Sequence, residues 1–270
     1  MSQLGQRVLT AVPLVAGLLL VLFIAPLWVA TVLMGVVMVL GAWEWSAFLG
    51  WQLRRLRAAY AAAASLLLLA AGWLVPSVIG LQPVLWAALL WWGLALVWIL
   101  RYPTPIPRIA AAIAGFVVLV PAWVALTAVL QVPGRGPALA LLALGIVFAA
   151  DIGAYFAGRR FGRVKLAPQV SPGKTWEGLI GGVLLATLTA AGGGTLAGLP
   201  LAGMIPIGIG VAALSVVGDL TESMFKRSVG AKDSGQLIPG HGGVLDRLDS
   251  ITAAMPLFAL ALQWLGLAPG

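Results

Sequence analysis

Nine apolar runs follow one another along this 270-residue chain, each bounded by charges or by proline and glycine. They span roughly 8–25, 27–42, 58–75, 84–100, 109–130, 138–157, 178–197, 201–221 and 250–267. At 1.5 Å per residue, runs of this length are matched to the ~30 Å hydrocarbon core of a bilayer. With 61% hydrophobic and only 9% charged residues, the chain lies far below the ~25% charge of soluble domains. In lipid, only helices and closed barrels satisfy their own backbone. The runs therefore predict an all-α polytopic membrane protein with about nine transmembrane helices. Only Pro26 divides the first two runs. The first run is longer than the apolar region of a signal peptide and lacks a following small-residue cleavage site, so it reads as an uncleaved span. The absence of cysteine excludes disulfides and thiolate metal sites.

The basic residues test this count. If the N-terminus is placed on one side of the membrane, nine crossings put fifteen of the sixteen Lys and Arg residues on that side, and Arg135 alone on the other. The positive-inside rule makes the rich side cytoplasmic. The expected topology therefore has the N-terminus inside and the C-terminus outside, and the short loops point to a bacterial plasma membrane. The net charge of +8 is accounted for by retention signals, anionic lipid and nucleotide phosphates, not by nucleic acid.

Residues 1–108 read as scaffold, and residues 109–270 as a catalytic region with cytoplasmic loops at 158–177 and 222–249. In the scaffold, Trp43, Trp45 and Trp51 bracket the inner end of the second run and are expected to be interfacial anchors. Glu44 among them is expected to pair with Arg54 or Arg55 at the headgroups, so that Glu44→Gln keeps most activity. The prolines of 102–107 exclude helix there.

Five of the eight acidic residues and the only histidine fall within residues 218–250. Asp219 and Glu222 are spaced i,i+3, as are Asp246 and Asp249, so each pair shares a helix face. Between them lies a basic, glycine-rich segment with Lys226, Arg227 and Lys232. Carboxylates flanking such a segment can hold a hard cation while the bases grip phosphates. Upstream, Asp151 falls inside a run, about six residues before its end, where an unpaired carboxylate costs on the order of 2–3 kcal/mol. Tyr155, at i+4, shares its face. Ser171-Pro-Gly-Lys174-Thr175 opens the seventh run. It is not a P-loop, because residue 168 is proline where that motif needs glycine. A Ser/Thr-capped helix start with a lysine still suits a phosphate.

Ser223-x-x-Lys226-Arg227, Lys232-Asp233-x-Gly235 and Ile238-Pro239-x-His241-Gly242-Gly243-x-x-Asp246-Arg247-x-Asp249 together resemble the signature of phosphatidate cytidylyltransferases, without a break over 27 residues. The segments around Asp151 and Lys174 resemble further regions of that family. The resemblance covers about the last 120 residues. It implies that CTP and phosphatidate give CDP-diacylglycerol and pyrophosphate at a magnesium-dependent site, with a second cation as a candidate. By resemblance and position, Asp219, Asp246 and Asp249 are the metal ligands. Lys226, Arg227, Lys232 and Arg247 are phosphate clamps, and Ser171, Lys174 and Thr175 form a second clamp. Ser223, His241, Gly242 and Gly243 line the substrate; Asp151, Tyr155, Glu222 and Asp233 are further candidates. Expected partners are CTP, phosphatidate and the lipid bilayer, with a homodimer as a candidate assembly. The rival readings are a CTP-dependent lipid-alcohol kinase and a secondary transporter. Transporters tend to place their acids at the membrane midplane in repeated halves, and no repeat is visible here.

Overall fold

The computed structural model describes residues 3–235, 237 and 242–267. Among these the chain forms nine α-helices: α1 (Gln3–Phe23), α2 (Leu27–Trp45), α3 (Arg54–Leu74), α4 (Leu81–Leu100), α5 (Arg108–Leu130), α6 (Gly136–Phe161), α7 (Trp176–Leu196), α8 (Leu201–Ser228) and α9 (Leu245–Trp264). Seven of them, α2 to α8, are long and apolar enough to cross a membrane. The helix α9 carries Asp246, Arg247 and Asp249 in its first five residues and is otherwise uncharged. Pro26 stands at the N-cap of α2, where its missing N–H is no loss, so the first two runs divide as expected.

The core lies around α5 and α9. More than half of α5 is buried, against 17% of the α3 segment, whose Leu66, Leu69 and Trp73 face outward. Outward apolar faces on α3, α4 and α7 suit a lipid solvent. Within the core, small residues let backbones approach closely. A Cβ on Gly153 of α6 would lie 2.5 Å from the Gly181 carbonyl oxygen of α7, and one on Gly218 of α8 would lie 2.3 Å from the Asp249 carbonyl oxygen of α9. Larger residues at these positions would push apart the helices that carry the acids.

Four expectations change. The helix α6 continues to Phe161, so Asp151 lies ten residues from its end, roughly 15 Å, rather than six. Arg159 and Arg160 in that last turn complement the negative end of the helix dipole. The helix α8 likewise runs past its apolar stretch to Ser228, because Met224 and Phe225 are buried and Glu222 pairs with Lys226 one turn on. The expected loops at 158–177 and 222–249 are correspondingly shorter. The first contains an antiparallel hairpin, β1 (Lys165–Ala167) with β2 (Ser171–Thr175), where only a basic loop was expected. Trp45 is not an interfacial anchor. It is 1% exposed, donates from Nε1 to the Ala111 carbonyl oxygen at 2.8 Å, and packs against Phe225. Trp43 stays near the surface, stacked under Arg57.

Candidate active site

The hairpin, the end of α6, the start of α7 and the middle of α8 line an open cavity of about 460 Å³. Asp151, Tyr155, Lys174, Thr175 and Asp219 line it. Lys174, the next-to-last residue of β2, places Nζ 2.7 Å from Asp219 Oδ2. Ser223, one turn along α8, donates to Asp219 Oδ1 at 3.3 Å. Thr175 caps α7 by accepting from the Gly178 N–H at 3.1 Å, which is the expected Ser/Thr-capped start. Glu177 in the first turn of α7 accepts from the N–H groups of Arg163 and Val164, which binds the loop before the hairpin to that helix. This tie was not visible in the sequence. Tyr155 accepts at its hydroxyl from Arg159.

A second, drier cluster joins α8 to α9. Lys226 Nζ lies 3.0 Å from Glu222 Oε1 and 2.7 Å from Asp246 Oδ1. Asp246 also accepts the N–H of Ser234 at 3.1 Å and of Gly243 at 2.9 Å, so backbone on both sides of the signature loop converges on one carboxylate. Gly242 has φ +84, and a Cβ there would lie 2.9 Å from Asp246 Oδ2. Only glycine combines that conformation with so close an approach.

Asp219 links the two clusters. Its charge acts on Asp151 on one side and on Asp249 on the other, and Asp249 in turn acts on Glu222. Five acids and two lysines from α6, β2, α8 and α9 thus meet in one region. Asp151, Asp219, Glu222, Asp246, Asp249, Lys174 and Lys226 are brought together as the sequence suggested. Arg227 is not among them: it donates to the Ala231 carbonyl oxygen and faces a different cavity, shared with Arg108. Lys232 and Asp233 are exposed on the loop, and Ser171 is half-buried at the start of β2. Arg247 is exposed, and its charge acts on Asp151. His241 lies outside the described residues.

Among the described residues, no set of three or more His, Asp or Glu side chains is arranged to hold a metal ion. Magnesium does not require such a cage, since one or two carboxylates, substrate phosphates and waters complete its octahedron. The donors present fit that mode. Asp219 and Asp249 offer hard oxygen ligands with like charges in reach, and the buried Glu222 Oε2 has no hydrogen-bond partner. Asp246, the third expected ligand, gives its oxygens here to Lys226 and the two amides.

The structure also overturns the expectation for Glu44. It is 1% exposed and turned inward, paired with neither Arg54 nor Arg55. Its Oε2 accepts from the Leu245 N–H at 2.8 Å and from the Ser234 hydroxyl at 3.2 Å. The sequence signal for this was an acid at the end of an apolar run, which reads equally well as a headgroup partner.

Comparison with known proteins agrees with the signature. The profile of the cytidylyltransferase family matches residues 5–265. The phosphatidate cytidylyltransferase of Pseudomonas aeruginosa is 44% identical, covering 97% of this chain and 97% of its own. That of Haemophilus influenzae is 41% identical over 95% of this chain and 97% of its own. The Bacillus subtilis enzyme of the same name is 42% identical over 121 residues, 43% of this chain.

Proposed function

The chain belongs to the cytidylyltransferase family, and we propose that it transfers the cytidylyl group of CTP to phosphatidate, giving CDP-diacylglycerol and pyrophosphate. One observation carries the site assignment: Lys174 of β2 meets Asp219 of α8, whose charge also acts on Asp151 of α6 and Asp249 of α9, beside a cavity large enough for a phosphate-bearing ligand. The phosphatidate oxygen attacks the α-phosphorus of CTP in line. A phosphate monoester is already largely ionised at pH 7, its second pKa being near 6, so the nucleophile needs little base catalysis. The work of the protein is to hold two polyanions together and to stabilise charge on the leaving pyrophosphate. Lys174 is placed to hand its charge from Asp219 to a phosphate, and Lys226 holds Asp246 against α8. Magnesium held by Asp219 and Asp249 would supply charge neutralisation of the triphosphate. Asp151 and Tyr155 form the cavity wall facing Lys174.

The proposal extends to topology. With α1 and α9 added to the seven long apolar helices, nine crossings put the site at the cytoplasmic face of a bacterial plasma membrane. The fifteen-to-one partition of basic residues supports that orientation. A homodimer is the assembly to be sought by crosslinking in membranes.

The test uses purified protein in detergent with magnesium, phosphatidate and CTP labelled at the α- or the γ-phosphate. Transfer of α-label alone into lipid, with release of pyrophosphate, is the expected result. Transfer of γ-label to an added lipid alcohol would make the protein a kinase. No transfer of either label by folded protein would turn attention to transport.

A further inference from the structure

We infer that Glu44, in the helices expected to be scaffold only, is a positioning residue of the active site, acting through the first turn of α9 on Asp246. The inference rests on the proposed function and on its reading of Asp246, held by Lys226 against α8, as part of the site. The helix α9 has no capping side chain of its own at Val244. Its Leu245 N–H, one of the free amides of a helix start, is instead satisfied by a carboxylate 201 residues away in sequence. A negative charge there also complements the helix dipole. Through the same oxygen, Glu44 holds the Ser234 side chain. The Ser234 N–H and the Gly243 N–H are the two backbone donors that fix Asp246. Glu44 therefore grips both ends of the loop whose amides orient Asp246.

The glycines of the loop agree with this reading. A Cβ on Gly235 would lie 2.2 Å from Glu44 Oε1, and one on Gly243 would lie 2.2 Å from the Ser234 hydroxyl and 2.5 Å from Glu44 Oε2. Neither glycine has a φ in the left-handed region, so what requires glycine there is the space occupied by the Glu44 carboxylate and by the Ser234 hydroxyl bonded to it. Nearby, Trp45 seats the end of α2 against Phe225 of α8, and Arg57 ties the Trp43 carbonyl oxygen and Ser46. The carboxylate is thus delivered from a packed support. Groups that orient a site from one step away typically contribute 10–100-fold in activity.

The test compares Glu44→Gln with the parent chain in detergent by steady-state kinetics and by hydrogen exchange. The expected result is a kcat lower by about 10–100-fold, a KM for phosphatidate within about threefold, and faster exchange confined to the amides of residues 234–247. Glu44→Asp is expected to recover part of the kcat, because it keeps the charge. A wild-type kcat in Glu44→Gln would overturn the inference, as would a lowered kcat with unchanged exchange in 234–247. If Glu44→Gln does not fold, Ser234→Ala decides: it removes one hydroxyl of the link and should produce a smaller loss with the same local exchange, whereas normal kcat there refutes the link. Failure of the cytidylyl-transfer reading would appear separately, as a parent chain that moves no α-label.

Discussion

Two lysine–carboxylate contacts join α8 to its neighbours, and they differ in how much water reaches them. Lys174 and Asp219 are 24% and 31% exposed at the wall of the open cavity, while Lys226, Glu222 and Asp246 are 11%, 2% and 11% exposed between α8 and α9. An exposed pair contributes about 0–1 kcal/mol and separates at little cost. A buried one is strongly destabilising to break, because the remaining charge has no solvent. The difference assigns different work to two similar contacts. The Lys174–Asp219 pair, partly open to the cavity, costs less to separate, which fits the proposed hand-over of its lysine to a phosphate. The Lys226 cluster is held between α8 and α9, and breaking it costs more.

Lys226→Ala breaks the comparison most severely. It leaves Glu222 and Asp246 facing each other without their cation and is expected to destabilise the fold by about 3–5 kcal/mol, measured by denaturation in detergent. A loss under about 1 kcal/mol would mean that the cluster is as solvated as the cavity pair. Asp246→Asn keeps the shape of the cluster, but it removes the charge and turns one of two accepting oxygens into an NH2 donor. Membrane insertion and a normal elution profile are expected to survive, with kcat lower by roughly 10²–10³-fold; near-normal turnover would remove Asp246 from the site. Lys174→Ala sharpens the contrast from the other side. Losing one charge-assisted phosphate contact should lower kcat/KM for CTP by about 10–100-fold, while stability changes by less than about 1 kcal/mol. A large stability loss there would show that Lys174 is structural.

The residues of both contacts were legible as types and spacings. Asp219, Glu222, Asp246 and Asp249 stood out because charge is costly in an apolar chain, and the i,i+3 pairs pointed to shared helix faces. Their division into an open and a closed cluster was not legible. The apolar run of α8 stops near residue 221, but the helix continues, because buried Met224 and Phe225 and the Glu222–Lys226 pair extend it. That extension turns Lys226 inward and Arg227 outward, toward the cavity with Arg108. Adjacent in the signature, the two bases serve different surfaces, and only the helix phase separates them.

The N-terminal half teaches the same lesson. Its apolar runs set the number and length of the helices, because hydrocarbon accepts only helices that satisfy their own backbone, and hydropathy and charge are local properties of a sequence. The long polar signature and the Lys174 segment likewise carried the family and the chemistry in a linear string. What only the tertiary structure decided is which distant groups share one dry space. Glu44 meets Leu245 across 201 residues, and Trp45 leaves the interface for the core beside Phe225. No local pattern encodes those contacts, because they depend on how closely α2, α8 and α9 approach. That distance is set by glycines such as Gly218, where a single added carbon would meet the neighbouring backbone.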